Sequence, residues 1–174
     1  MKKVPLMIEY RSILPQDAPA LWQFLNLLDG QTSFMMYEPG ERTRRTGMAA
    51  PEEDIRQHAI PGGDFLDAAL EDGVIVGYLR AERGAYNRVR HTAYVVAGVL
   101  EGCRGRGVGT ALFTRLEQWT RANRVTRLEL TVECPNEAAR HLYEKMGFTV
   151  EGIRRNAMLV DGHLVDEYYM ARLL

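Results

Sequence analysis

The sequence has few cysteines, no long hydrophobic run and almost no net charge. Its two cysteines, Cys103 and Cys134, are too few for a disulfide framework, so we expect a reducing, cytoplasmic location. No apolar segment reaches the roughly 20 residues of a membrane-spanning helix. Pro5, Glu9 and Arg11 interrupt any secretory signal after the basic start. A formal net charge of −1 gives no general attraction to nucleic acid or to an anionic membrane.

Histidine is also scarce. The four histidines are scattered and show no metal-ligand spacing, so no metal site is expected. With 174 residues, 46% of them hydrophobic, the chain is long enough to bury a substantial core. The sequence shows no internal repeat and no linker. We therefore predict a single domain over residues 1–174.

The most informative segment is residues 95–109, VVAGVLEGCRGRGVG. An apolar, β-branched run predicts a strand, and a glycine-rich loop then leads directly into a helical pattern. The loop glycines are Gly105, Gly107 and Gly109. They leave backbone N–H groups uncovered at the helix N-terminus, whose partial positive charge attracts phosphate. Arg104 and Arg106 add donors suited to phosphate oxygens. The segment predicts a phosphate cradle.

Two better-known glycine motifs fit this segment poorly. A nucleoside triphosphate loop needs a lysine after its last glycine, but Thr110 follows Gly109 directly. A dinucleotide-binding fold matches the position of Glu129, about twenty residues on, but the required GxGxxG spacing is absent. A purely structural glycine turn stays open as an alternative.

The pattern Arg-x-x-Gly-x-Gly after a strand resembles the acetyl-CoA loop of the GNAT superfamily of N-acetyltransferases, with Arg104, Gly107 and Gly109 at the defining positions. A second segment, residues 136–148, resembles the asparagine-capped helix, the tyrosine and the Gly-Phe ending of that family. The resemblance covers residues 74–174, and Glu101 departs from it where many members carry proline.

The resemblance implies that acetyl-CoA is a co-substrate. Its pyrophosphate would lie on the loop and the helix start, and its pantetheine arm would bond backbone groups from residue 99 onward, between two diverging strands. Asn136, which is first of all a helix cap, would bond the cofactor amide chain. The implied cofactor-binding residues are Val99, Leu100, Arg104, Gly105, Arg106, Gly107, Val108, Gly109, Thr110 and Asn136.

Hydrophobic periodicity gives the order β-α-α-β-β-β-α-β-α-β-β, with about seven strands and four helices. Asp-Gly pairs at residues 72–73 and 161–162 predict two hairpins. The predicted strands are 4–13, 65–70, 74–81, 91–100, 126–133, 148–159 and 163–173, and the predicted helices are 18–29, 51–60, 108–123 and 136–146. This order predicts an α/β protein with a mixed sheet, and the resemblance implies the GNAT fold.

Acyl transfer from a thioester to an amine needs an acid for the leaving thiolate and a base for the substrate ammonium. By its position in the resembled motif, Tyr143 is the predicted general acid, on a side of its helix different from Leu142 and Met146. The base stays open, and Glu129 and Glu133 are the leading candidates. The other titratable or hydroxyl groups on these two strands are His91 and Tyr94.

A covalent route through Cys103 or Cys134 is disfavoured, because no histidine lies near either residue in sequence. Members of the resembled family transfer the acetyl group directly, in a ternary complex. A chain that binds acetyl-CoA without turnover, as a regulator, is the alternative of a different class.

The acceptor is least constrained by the sequence. Residues 31–50 lack periodicity, so they are either a packed surface loop or an acceptor cover that uses Tyr37, Glu38 or Glu41. Residues 151–174 resemble the family branch with ribosomal-protein, polyamine and amino-acid acetyltransferases. Here Asp166, Glu167 and the tyrosines would line the acceptor mouth or a homodimer seam. We expect a small primary amine or amino acid, and a protein N-terminal or lysine amine is the alternative.

Overall fold

The computed structural model describes residues 7–174, so the predicted start of the first strand at residues 4–6 and the basic start lie outside the described residues. In the first half the elements are β1 (Ile8–Ser12), α1 (Ala18–Gln31), α2 (Glu41–Arg45), α3 (Ala49–Ala59), β2 (Phe65–Glu71) and β3 (Val74–Arg83). In the second half they are β4 (Thr92–Val99), α4 (Val108–Asn123), β5 (Arg127–Glu133), α5 (Glu137–Lys145), β6 (Thr149–Val160) and β7 (His163–Leu173).

The seven strands form one sheet in the order β1-β2-β3-β4-β5-β7-β6. Only β4 and β5 are parallel, because α4 carries the chain back across the sheet between them. The neighbouring pairs on either side are antiparallel. The predicted mixed sheet of seven strands is confirmed.

One helix was not predicted. The described chain has five α-helices, and the additional one, α2, lies in the segment without periodicity. Gly40 precedes it with φ 76°, and Arg42 within it is buried against Asp29 of α1. A five-residue helix is too short to show a periodic pattern and is stabilised here by tertiary contact.

Both predicted Asp-Gly hairpins are confirmed. Asp72 and Gly73 have φ angles of 51° and 79°, and Asp161 and Gly162 have 48° and 79°. Left-handed conformations at both central residues match the right-handed twist of the flanking strands. The second hairpin joins β6 to β7, so that the last part of the chain completes the sheet.

Helices cover the sheet on both faces. On one face α4 and α5 pack over a core that includes Leu79, Val95, Leu130 and Phe148. On the other, α1 and α3 pack over β2 and β3, with Tyr78 and Leu66 in a second core. We call the part of this second face formed by β4, β5, β7 and β6 the open face, because its side chains Tyr94, Thr131 and Tyr169 are only partly buried. Within residues 7–174, no helix has the length and apolar composition needed to cross a membrane.

Candidate functional site

The parallel strands β4 and β5 separate along their length. They pair from Thr92 with Arg127 only as far as Tyr94 with Glu129. Beyond that point β4 continues to Val99 and β5 continues to Glu133 without pairing to one another. A wedge-shaped gap therefore opens in the middle of the sheet, towards the glycine loop, as the family resemblance implied.

The backbone on the β4 side of this gap has groups free for a ligand. The Leu100 N–H donates to the Val76 carbonyl of β3 at 2.9 Å, so the groups of Val99 point the other way, into the gap. The Leu100 carbonyl accepts the Cys103 N–H at 2.9 Å. Both backbone groups of Leu100 thus already have a partner, whereas Val99 keeps its N–H free. Its carbonyl accepts Arg104 Nε at 3.0 Å.

The start of α4 is uncapped by any side chain. Gly107 is the N-cap residue and has φ 80°, a conformation that L side chains disfavour. The N–H groups of Val108, Gly109 and Thr110 have no hydrogen-bond acceptor among residues 7–174, and the first backbone bond of the helix is Ala111 N–H to the Gly107 carbonyl. Free amides at a helix start fit a phosphate group.

Gly109 has a different reason for being glycine. A Cβ atom there would lie 2.7 Å from Leu142 Cδ2 of α5, whereas a Cβ on Gly105 or Gly107 would meet nothing within 4 Å. Gly109 thus allows α4 and α5 to approach closely. This close approach is a second reason for glycine at this position, besides the uncovered N–H group.

The two loop arginines have different environments. Arg106 Nη2 lies 2.6 Å from Glu71 Oε1 at the end of β2, which holds the pKa of Glu71 below its usual value. Arg104 is exposed and has no ion pair among the described residues, since its only hydrogen bond runs from Nε to Val99. Arg104 is therefore the arginine with donors available to an anion.

Tyr143 lies on α5, the helix that follows β5. Asn136 caps this helix by accepting the Ala139 N–H at 3.2 Å, as predicted. The Tyr143 ring packs against Phe113 and Phe148, with centroids 5.8 and 6.0 Å apart. Like Leu142, it is partly buried against the core of this face, although the two side chains have different contacts. Burial raises the pKa of Tyr143 to about 12, and proximity to Tyr94 adds to this effect.

The two candidate carboxylates differ sharply. Glu129 accepts Arg127 Nε at 2.9 Å and is neutralised by that partner. Glu133 is only 4% exposed, and its Oε1 is buried without a hydrogen bond. Burial raises the pKa of Glu133, and the neighbouring charge of Glu167 raises it further. Of the other candidates, His91 is exposed at the start of β4, and the Tyr94 hydroxyl is 2.8 Å from Thr131 Oγ1.

Residues 31–50, the predicted surface loop or acceptor cover, are anchored by residues that the sequence did not single out. Arg42 makes a two-pronged ion pair with buried Asp29 at 2.7 and 3.1 Å, and its guanidinium lies 4.3 Å from the centre of the Tyr37 ring. Glu41 is engaged locally, with the Glu38 N–H and with Arg45, and Glu38 is exposed. Asp29 at a helix end followed by arginines was the only signal for this pair.

Both cysteines are free thiols. Cys103 is buried under Arg106 and Glu71, and Cys134 is partly buried at the end of β5. Within the described part of the chain, no three His, Cys, Asp or Glu side chains are grouped to hold a metal ion.

Comparison with known proteins identifies the class. The model of the acetyltransferase (GNAT) family matches residues 25–148. The L-amino acid N-acetyltransferase AaaT of Escherichia coli K12 is 38% identical over 117 residues, 65% of this chain and 70% of that protein. A GNAT-family acetyltransferase from Streptococcus pneumoniae superimposes with a TM-score of 0.89 at 27% identity, covering 97% of this chain and 99% of the other.

A Salmonella typhimurium acetyltransferase solved with acetyl-CoA has the same fold, with a TM-score of 0.80 at 21% identity over 97% of this chain and 94% of the other. This chain belongs to the GNAT family of acetyltransferases. It is an N-acetyltransferase whose acetyl donor is acetyl-CoA, and the uncapped helix and the open gap fit that donor.

Proposed function

We propose that the protein transfers an acetyl group from acetyl-CoA to the primary amine of a small molecule, with an amino acid as the favoured acceptor. The observation that carries this proposal is the gap between β4 and β5, with partly buried Tyr143 on the helix that follows β5 and with Glu133 Oε1, which has no hydrogen-bond partner, at the end of β5. The relative AaaT is named for L-amino acid acetylation, which supports the same acceptor class.

The donor is held by backbone groups more than by side chains. The free amides of Val108, Gly109 and Thr110 bind the pyrophosphate, with Gly105 and Gly107 shaping the loop and Arg104 adding a charged donor. Val99 bonds the pantetheine arm as an added strand would. Asn136 caps α5 three residues after the end of β5. Arg106 contributes indirectly, by fixing the loop to Glu71.

Tyr143 acts as the general acid for the departing thiolate. Its pKa of about 12 keeps the hydroxyl protonated throughout the neutral range. A free thiol has a pKa of about 8.5, so complete proton transfer is uphill, and the role of Tyr143 is to donate a hydrogen bond as charge develops on sulfur. Direct attack by the amine then needs no enzyme-bound acetyl group.

Glu133 acts as the base. An unpaired carboxylate with a raised pKa on the open face accepts the proton of the substrate ammonium, directly or through one water. Glu129 is a weaker candidate because its carboxylate is already paired with Arg127. Tyr37, held by Arg42 near α1, lines the acceptor side, and Glu38 and Glu41 lie on the adjoining surface.

The test is release of coenzyme A thiol from acetyl-CoA with a panel of L-amino acids, a polyamine, a peptide with a free N-terminus and a lysine peptide. We expect amine-dependent release that is greatest with the amino acids. If thiol release were greatest with one of the peptides, the acceptor would instead be an amine of a protein. Cofactor binding without release in any mixture would support the regulator instead. The C103S/C134S double variant serves as the control for direct transfer and should retain activity.

We also propose a cytoplasmic location, which is supported by the two free cysteines.

A further inference from the structure

Three charged side chains form a row across the open face, next to the gap. Glu133 of β5 is the register partner of Glu167 on β7, and Glu167 is the register partner of Arg154 on β6. Directly opposed residues in antiparallel strands project to the same side of a sheet. The three side chains therefore lie side by side, on the same face as Thr131 and Tyr169.

The row holds one more negative than positive charge. Glu133 and Glu167 are only 4% and 6% exposed. Arg154 Nη1 donates to Glu167 Oε2 at 2.7 Å, whereas Glu133 Oε1 is buried and has no partner. A buried carboxylate is stable when a cation or a hydrogen-bond donor compensates it. The row is therefore complete only when a cationic group sits at Glu133.

Arg154 is only partly used by this contact. Its side chain is 51% exposed, and within residues 7–174 only Nη1 has a hydrogen-bond partner. A guanidinium presents its remaining donors in a planar fork, which matches the two oxygens of a carboxylate. An anionic group can thus bind Arg154 while the pair with Glu167 stays intact.

We infer that this row recognises an α-amino acid, with Glu133 receiving the ammonium group and Arg154 binding the carboxylate. The inference rests on the proposed function and names the residues that select its acceptor. In an α-amino acid both charged groups are attached to one carbon atom. Glu133 and Arg154 lie on either side of Glu167, and the Arg154 side chain already reaches across to Glu167 Oε2 at 2.7 Å, so one small molecule can meet both. A polyamine lacks the anion, and the N-terminal residue of a peptide carries an uncharged carbonyl in its place.

The test compares L-leucine with L-leucinamide, which keeps the amine but lacks the carboxylate. KM is measured by thiol release for both compounds, with wild type, Arg154→Gln and the matched control Arg155→Gln. Arg155 is exposed and lies next to Arg154 in β6. Binding of both compounds is also measured by calorimetry with coenzyme A present, so that the comparison does not depend on turnover.

We expect Arg154→Gln to raise KM and Kd for L-leucine by about 10-fold or more, the effect of losing a charge-assisted pair. In the same variant, KM and Kd for L-leucinamide should change by less than about 2-fold. Arg155→Gln should leave the values for both compounds unchanged. Arg154→Lys, which keeps the charge but not the fork, should fall between.

Equal losses for both compounds would show that Arg154 only supports the fold and would overturn the inference. Equal affinity of the wild-type protein for L-leucine and L-leucinamide would also overturn the inference. If no compound gave thiol release but binding of L-leucine still depended on Arg154, the proposed function would be overturned. The row would then be a binding site for amino acids without a role in acetyl transfer.

Discussion

The hydroxyl of Tyr94 on β4 and the hydroxyl of Thr131 on β5 are 2.8 Å apart, across the point where the two strands begin to separate. Tyr94 is the last residue of β4 that pairs with β5, and Thr131 lies two residues beyond its partner Glu129. The hydrogen bond joins the strands on the open face, where no backbone bond does. It therefore links the two strands just beyond their last backbone pairing.

This contact can be measured by a double-mutant cycle with Tyr94→Phe and Thr131→Val. Each single variant should lower the free energy of unfolding by about 1 kcal/mol, the usual net value of a hydrogen bond. The double variant should lose less than the sum of the two, because both remove the same bond. Urea unfolding gives the three values. Strict additivity would show that the two hydroxyls do not interact in solution.

Replacement of Tyr143 by phenylalanine tests the general acid. The ring contacts with Phe113 and Phe148 remain, so acetyl-CoA binding should be nearly unchanged, whereas kcat should fall by about 100-fold or more. Tyr86→Phe is the matched control, since Tyr86 is 79% exposed in the β3–β4 loop. Turnover that survives in Tyr143→Phe would remove this role.

The pH dependence of wild type gives an independent check on Tyr143. With its pKa raised to about 12, the hydroxyl stays protonated from pH 7 to 10. Deprotonation of Tyr143 should therefore cause no loss of kcat in this range. A decline of kcat centred near pH 9 that disappears in Tyr143→Phe would contradict the assigned pKa.

Glu133 should reduce stability at neutral pH. Because its pKa is raised in the folded protein, folding favours the protonated form, and that contribution is lost as pH rises through the folded pKa. Glu133→Gln should therefore increase the free energy of unfolding at pH 7, and the gain should vanish below the ordinary value of 4.5. Urea unfolding at pH 7 and pH 4 measures both.

Glu129→Gln is the control for this experiment. It removes the ion pair with Arg127, so it should lower stability at pH 7 or leave it unchanged. A loss of stability at pH 7 in Glu133→Gln, equal to that in the control, would mean that Glu133 has a partner in solution.

Substitutions of the two loop arginines should have different effects on coenzyme A affinity and on the stability of the fold. Arg104→Gln should raise the Kd of coenzyme A by about 10-fold, because its free donors are charge-assisted, and should leave unfolding unchanged. Arg106→Gln should affect the Kd less, but should lower stability because Glu71 loses its partner. Calorimetry and urea unfolding distinguish the two. Identical effects on the Kd would contradict the different environments of the two arginines.

Much of the fold was predictable because its signals are local. The Asp-Gly hairpins, the start of α4 after Gly107 and the cap at Asn136 each depend on a few neighbouring residues. The Arg-x-x-Gly-x-Gly loop and the Asn136 helix likewise gave the family, which the family model confirms.

Contacts between distant residues were not predictable. Arg106 and Glu71 are 35 residues apart, and nothing in the local pattern links them. The contact of Gly109 with Leu142 and the packing of Tyr143 on Phe113 depend on how α5 lies against α4. Helix α2 is held by Asp29 rather than by its own propensity. The difference between Glu129 and Glu133 arises in the same way, because strand alternation places both on one face but does not reveal the partner of either.

The central claim is that acetyl-CoA binds in the gap between β4 and β5. Hydrogen exchange of single backbone amides, measured by NMR, tests this claim most directly. With no strand bonded on the β5 side, the Val99 N–H should exchange rapidly in the free protein. Saturating acetyl-CoA should slow it by about 10-fold or more, as an added strand partner would. The Leu100 N–H, already bonded to Val76, is the internal control. Slower exchange at Val99 without a comparable change at Leu100 is the result we predict, and unchanged exchange at Val99 with the cofactor bound would contradict it.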